Sequence, residues 1–247
     1  MPIDRRKNML IDFHSHFLPK IDDGSRSIDE SLQILDIMAK GGIDTIVATP
    51  HFYCTEQSVE SFLENRTKAY EELAPNLRPE HPKIHFGAEV LYDHSLVNYE
   101  KLPQLCIEGT SWLLLEMPYT DLDDKIINGV ASITERGDVK VFIAHIERYL
   151  NFTSMKRLEQ LMRLEVLGQI NAKSLTSFMS KRRCMKLIEH GYVHVLGSDY
   201  HRIGRGDVTV DIGYNIITGN KKFDDFAEYA EDNGRKILAD EPLDSII

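Results

Sequence analysis

Short runs of β-branched and apolar residues alternate along this chain with longer stretches whose apolar positions recur at helical spacing. The first run, "MLIDF" (9–13), is followed by "SIDESLQILDIMAKGG", where Ser27 and Glu30 form a capping box and Gly41–Gly42 a stop. Strands are then expected at "IDTIVATP" (43–50), "KIHFGAEV" (83–90), "SWLLLEMP" (111–118), "VKVFIAH" (139–145), "GQINA" (168–172) and "VHVLGSD" (193–199). Helices are expected at 58–74, 123–137, 154–166 and 176–191, with loop or short helix over 91–110. Successive strands joined by helices pair in parallel, because a crossover returns the chain to the same end of the sheet. Their number favours a closed or nearly closed barrel over an open doubly wound sheet. No repeat or linker divides the 247 residues, so 1–247 reads as a single domain.

The residues at the carboxyl ends of these strands are His14 and His16, His51, Glu89, Glu116, His145, Asn171, then Asp199 and His201, with Asp22 and Asp23 shortly after the first pair. Barrel enzymes build their sites from this rim. One histidine at a strand end is more often a hydrogen-bonded structural residue than a ligand. The repetition on strand after strand is what points to metal. In "HSH" the two imidazoles project to the same side of an extended segment and can reach one ion. Nitrogen and oxygen donors without sulfur suit Mn²⁺, Fe or Zn²⁺, and the donors exceed one ion's coordination number, so two or three ions are expected.

Composition narrows the partners. A net charge of −10 argues against a nucleic-acid backbone, and no apolar run is long enough for a membrane span. "MPIDRRKNMLIDFHSH" fails as a signal peptide because Asp12 interrupts a short apolar run, so the cytoplasm is the expected compartment. Cys54, Cys106 and Cys184 are too few and scattered for a disulfide framework. They also exclude cysteine-dependent phosphatase chemistry, which needs Cys-x₅-Arg: the sixth residues on are Glu60, Trp112 and His190.

The segments "HSHFLPKIDDGSRSIDESL", "ATPHF", "GAEVLYD", "LLLEMPY", "IAHIERY", "QINAKSL" and "GSDYHR" resemble, in order, the motifs of the PHP (polymerase and histidinol phosphatase) superfamily. More narrowly, they resemble its bacterial protein-tyrosine phosphatases of capsule and exopolysaccharide synthesis. The resemblance spans residues 10 to about 206. It implies a distorted (β/α)₇ TIM-like barrel with a trinuclear centre, usually manganese, at the C-terminal ends of parallel strands, and hydrolysis of phosphotyrosine. It implies as metal ligands His14, His16, Asp23, His51, Glu89, Glu116, His145, Asp199 and His201. Two arginines would hold the phosphate: Arg148 matches the first, and Arg205 is favoured over Arg202 for the second because "SDYHRIGRGD" departs from the usual pattern. The implied partner is a tyrosine-phosphorylated protein, such as the tyrosine-rich tail of a bacterial autokinase, and the oligomeric state stays open.

The expected chemistry is in-line attack by a metal-activated water with Arg148 stabilising charge on the phosphoryl oxygens, and His201 or His51 protonating the leaving tyrosinate. The alternatives are a small-molecule phosphatase of histidinol-phosphate type and a non-catalytic metal-binding regulator of polysaccharide export. The tail helix expected at "FDDFAEYAEDNGRKIL" reads as packing rather than catalysis.

Overall fold

The computed structural model describes residues 9–246; the basic segment "MPIDRRKN", discounted above as a signal, lies outside the described residues. Strands β1 (Leu10–Ser15), β2 (Ile43–Ala48) and β4 (Lys83–Phe86) form one parallel sheet. Strands β3 (His51–Phe52), β5 (Glu89–Leu91), β6 (Trp112–Glu116), β7 (Lys140–Ile143), β8 (Leu167–Asn171) and β9 (Val195–Gly197) form the other, also parallel. The strand expected over 43–50 ends at Ala48, because Pro50 has no N–H for the ladder, and β3 starts just beyond it; the strand expected over 83–90 breaks at Gly87–Ala88. Cross-strand bonds bridge the breaks: Gly87 N donates to the Ala48 carbonyl at 2.8 Å and Glu89 N to the Pro50 carbonyl at 3.1 Å.

The sheets curl until β9 lies against β1. Asp199 N donates to the His14 carbonyl at 2.7 Å, His16 N to the Tyr200 carbonyl at 3.0 Å, and Ser198 N to the buried Asp12 carboxylate at 2.8 Å. Strand alternation sorts the apolar residues onto two faces. Leu113, Leu115, Val141, Ile143, Ile170 and Leu196 face outward into a core shared with helix α1 (Ile28–Gly41), among others. Ile11, Phe13, Val47, Trp112, Leu114, Phe142, Leu167 and Val195 face inward.

Half of the expected capping box forms at the start of helix α1: the Ser27 hydroxyl accepts from Glu30 N, but the Glu30 carboxylate accepts from Arg26 N at 2.8 Å, and the helix ends on Gly42 at φ 76°. Helices α2 (Val59–Leu73) and α3 (Asp124–Glu135) also follow the sequence, while 94–98 and 102–105 form 3₁₀ turns. A short α4 (Ile146–Tyr149) directly after β7 and an α7 (Val210–Thr218) were not anticipated. Helix α5 (Met155–Met162) stops earlier than expected, and Glu165 follows in a left-handed conformation at φ 56°. Helix α6 (Phe178–Glu189) follows β8, and α8 (Phe226–Leu238) is the expected tail helix. Its Ile237 fills the inner face from below, and beyond it Asp240 accepts from Ser111 N at 2.9 Å and pairs with Lys140 at 3.0 Å. The amino-terminal end of the sheet is thus covered, which leaves the carboxyl end for the polar rim.

Candidate metal centre

The inward rows that carry the apolar floor continue upward into polar residues. On β6 the row runs Leu114 to Glu116; on β8 it runs Leu167, Gln169, Asn171; on β9 it runs Val195, Gly197 and then Asp199. Gly197 is required there because a Cβ would stand 2.5 Å from the His14 Cβ and 2.6 Å from Gln169 Nε2. His145 and Asp199 reach the site from left-handed backbone, at φ 30° and 52°. Each such non-glycine residue costs about 1–3 kcal/mol, which surrounding contacts must offset.

The nine residues expected as ligands come to one rim. His14 Nε2 and His16 Nε2 are 3.0 Å apart. Glu89 Oε2 lies 3.2 and 3.3 Å from them, and Asp199 Oδ1 3.5 and 3.4 Å. On one side His145 Nε2 is 2.9 Å from Glu89 Oε1 and 3.5 Å from Glu116. On the other, His51 Nδ1 is 2.9 Å from Glu89 Oε2, while His51 and His201 flank Asp23 at 3.4 and 3.2 Å. Three overlapping groups have donor atoms within metal-binding reach of one another: His14, His16 and Glu89; His16, His51 and His201; His51, Glu89 and Glu116.

Hydrogen bonds fix the tautomers at the centre. His14 Nδ1 points to the Gln169 carbonyl oxygen at 3.3 Å, and that oxygen accepts from His145 N at 2.8 Å. His16 Nδ1 faces Asp22 Oδ2 at 2.7 Å. With the proton on Nδ1 of each ring, both Nε2 atoms present bare lone pairs. Two lone pairs and two carboxylates therefore converge with no proton between them. Glu89 Oε2 and His51 Nδ1, although close, make no hydrogen bond. Buried acceptors facing acceptors are repulsive, and a cation between them removes the repulsion. The donor set fits divalent metal ions.

Burial alone would depress the His14 and His16 pKa values, but the Glu89 and Asp199 charges outweigh it at His14, and Asp22 leads the opposition at His16, so both rise. Burial, then the neighbouring Glu89 charge, pushes the Glu116 carboxyl up to about 7. Burial lowers His145 to about 4.

Arg148, one turn beyond His145, donates to Asp199 Oδ2 and at 3.3 Å to the Tyr119 hydroxyl, which itself donates to Glu116 at 2.8 Å. A cavity of about 440 Å³ opens over the donors, with Arg148 on one side and Tyr53, Leu91, Pro118 and Tyr119 as an apolar wall. An adjoining space holds both Arg148 and Arg205. Arg205 is half-exposed and sits 3.4 Å from Asp23, whereas Arg202 is turned away, its Nε donating to the Gly24 carbonyl.

Asp22, named with Asp23 among the acidic residues after the first histidine pair but not as a ligand, orients His16 and accepts from His51 N at 3.2 Å. Two further residues of this arrangement were not singled out from the sequence. Gln169 links to Asn171, whose amide donates to Asp199 at 2.7 Å; two-residue alternation below Asn171 could have found it. Tyr119 had only its place three residues beyond Glu116.

Residues 10–239 match the family model described as capsular polysaccharide synthesis, CpsB/CapC. The chain is 31% identical over 249 aligned positions to the tyrosine-protein phosphatase CpsB of Streptococcus pneumoniae, covering 94% of this chain and 99% of that one. It is 26% identical to the tyrosine-protein phosphatase YwqE of Bacillus subtilis, covering 78% of each. A crystal structure from the work on YwqE and CpsB, described as unique metal-dependent tyrosine phosphatases, superposes with a TM-score of 0.76 at 22% identity, over 94% of this chain and 96% of that one.

Proposed function

The chain belongs to the CpsB/CapC family of capsular polysaccharide synthesis proteins, and from that premise we propose that it is a metal-dependent protein-tyrosine phosphatase. The observation that carries this reading is the convergence of bare histidine and carboxylate lone pairs beside Arg148, under a wall of aromatic and apolar side chains. His14, His16, Asp23, His51, Glu89, Glu116, His145, Asp199 and His201 would hold the ions. The three overlapping donor groups favour two or three of them; nitrogen–oxygen donors without sulfur suit Mn²⁺, Fe or Zn²⁺, and the family resemblance selects manganese among these. Bound there, the ions supply charge neutralisation of a phosphoryl group and activation of water.

The chain's own side chains do the rest. Arg148, steered by Tyr119 and Asp199, presents its guanidinium to the phosphoryl oxygens, and Arg205 approaches the same space from the opposite loop. Tyr53, Leu91, Pro118 and Tyr119 accept the phenyl ring and exclude water from its face. His201, on the cavity wall, serves either as a metal ligand or as proton donor to the leaving phenolate, with His51 as the other candidate donor, because a ring nitrogen that binds a cation carries no proton. Asp22 and Gln169 hold His16 and His14 in the tautomers that leave Nε2 free.

The substrate in this reading is a tyrosine-phosphorylated protein of capsule synthesis, such as an autokinase tail, met in the cytoplasm. The curled sheet, with β2 and β3, and β4 and β5, each counted as one broken strand, is read as a distorted (β/α)₇ barrel. Among the described residues no helix is long and apolar enough to cross a membrane.

The test pairs elemental analysis with hydrolysis of a phosphotyrosyl peptide. Chelation should abolish turnover and Mn²⁺ restore it, with histidinol phosphate a poor substrate throughout. Undiminished turnover by protein shown to be metal-free would overturn the reading.

A further inference from the structure

Helix α6 has two unlike faces. Cys184, Leu187 and Ile188 are buried against the barrel. Phe178, Lys181, Arg182, Met185, Lys186 and Glu189 recur at helical spacing on the other side and line a groove of about 640 Å³, closed along its far edge by Lys222 and Phe223 of a 3₁₀ turn. Phe178 is 85% exposed and Met179 76%, the two most exposed large apolar side chains among the described residues. Lys222 pairs with Glu189. Lys186 lies one turn from Glu189 and shares its charge with Lys222, whereas Lys181 and Arg182 make no ion pair among the described residues, on a chain whose net charge is −10.

The groove is joined to the catalytic rim. Arg183 of α6 donates to the Asn151 side chain, and Asn151 in turn donates to the Arg148 carbonyl at 2.9 Å. Beyond Asn151, the half-exposed Phe152 packs on Tyr119 with ring centroids 5.5 Å apart, at the mouth of the metal-site cavity. The start of α6, which follows β8 through a 3₁₀ turn (Ala172–Leu175), is on the same end of the sheet as the metal donors.

We propose that this groove is a docking site for an acidic segment of the protein substrate, one that flanks the phosphotyrosine and carries an apolar side chain. The proposal rests on the phosphatase reading and adds to it a second point of contact. Charge decides the kind of partner: a cluster of cations on a chain of net charge −10 attracts an acidic segment and repels the same patch on a second copy, which disfavours a two-fold contact through this face. Shape decides between a peptide and a lipid surface, since a concave apolar groove rimmed by cations takes a side chain, whereas a bilayer presents no projection to fill it.

The experiment compares K181E/R182E/K186E and F178S with the unaltered protein, all loaded with metal and checked for folding by circular dichroism. Two substrates are used: p-nitrophenyl phosphate, too small to reach the groove, and a phosphotyrosyl peptide with Glu- and Leu-containing flanks. A third, the same peptide with Glu replaced by Gln, serves as its neutral control. The acidic peptide should show a KM about tenfold below its neutral control with the unaltered protein, an advantage that shrinks as salt is raised. The triple variant should lose the advantage and F178S should weaken it, while turnover of p-nitrophenyl phosphate stays within about twofold for both. Equal KM for acidic and neutral peptides, or an advantage that survives the triple variant, would overturn the proposal. So would two further results obtained with unchanged peptide KM: loss of binding to phosphatidylglycerol vesicles, which would make this a membrane surface, or a change in oligomeric state, which would make it a subunit interface. Failure of the phosphatase reading looks different, since the unaltered protein would then hydrolyse neither substrate.

Discussion

At the scale of single residues, Arg148 is the side chain on which the phosphate grip turns. Its guanidinium already spans two acceptors, Asp199 and Tyr119, so both its position and its planar fork are set before substrate arrives. Arg148→Lys keeps the charge and loses the fork. It should lower kcat/KM for a phosphotyrosyl peptide by roughly 30- to 1,000-fold, equivalent to about 2–4 kcal/mol, with metal content unchanged. A change within about threefold would mean that the ions alone hold the phosphoryl group. The cysteines supply the converse case. Burial pushes the Cys106 thiol up to about 12, and burial likewise raises Cys184, so neither offers a thiolate near neutral pH. Treating the native protein with iodoacetamide should leave turnover intact, and loss of activity on modification of one cysteine, with metal retained, would contradict the metal mechanism.

At the scale of elements, the site depends on how closely β9 approaches β1. That approach is carried by backbone bonds from Asp199 and His16 and by the buried Asp12 carboxylate, which accepts from Ser198 N and, at 3.2 Å, from His14 N. Gly197 sits at the closest point, and Gly197→Ala would force β9 outward by the width of a methyl group against His14 and Gln169. Donors held to a few tenths of an ångström tolerate little of this. The variant should fold but bind metal weakly, with activity lowered at limiting Mn²⁺ and partly recovered at high Mn²⁺; normal metal content at limiting Mn²⁺ would show that the strands can part without cost. The strand breaks at Pro50 and Gly87 matter in the same way, since each ends one ladder just before a donor, His51 or Glu89, and starts the next at an altered angle.

At the scale of the whole molecule, the tail determines what lies beneath the rim. Helix α8 seats Ile237 under the inward row, and its Asn233 donates to the His194 carbonyl at 3.1 Å. His194 is itself buried, its Nδ1 accepting from Gly168 N at 3.0 Å, and burial lowers its pKa to about 4. The unfolded chain binds this proton at about 6.5, so between about pH 6.5 and 4 it holds more protons than the folded one. Stability is therefore fully present above about 6.5 and falls as the pH drops, by about 3 kcal/mol from this group. Asp12, raised by burial to about 6, acts in the opposite sense, so wild-type stability alone hides part of the effect. His194→Gln keeps an acceptor for Gly168 and removes the titration. In urea unfolding the wild type should lose stability relative to His194→Gln between pH 7 and 4, and parallel curves would show that His194 does not titrate there.

The sequence by itself determined the parallel α/β alternation, the strand-end donors and the exclusion of thiolate chemistry. These are properties of spacing and residue type: a two-residue period fixes which way a strand side chain points, and His14 and His16 carry that period wherever the strand lies. The packing role expected of the tail helix is likewise the one that Ile237 fills. Only the tertiary structure decided which neighbours meet. Nothing in the order of residues says that Gln169 fixes the His14 tautomer, that Asp22 turns toward His16 while Asp23 faces His201, or that Tyr119 spans Glu116 and Arg148. Nor does it say that residues 43–52 and 83–91 bend between two sheets. Such contacts join segments as far apart as Asp12 and Ser198, and their geometry follows from the curl of the sheet and the closure of the floor by α8.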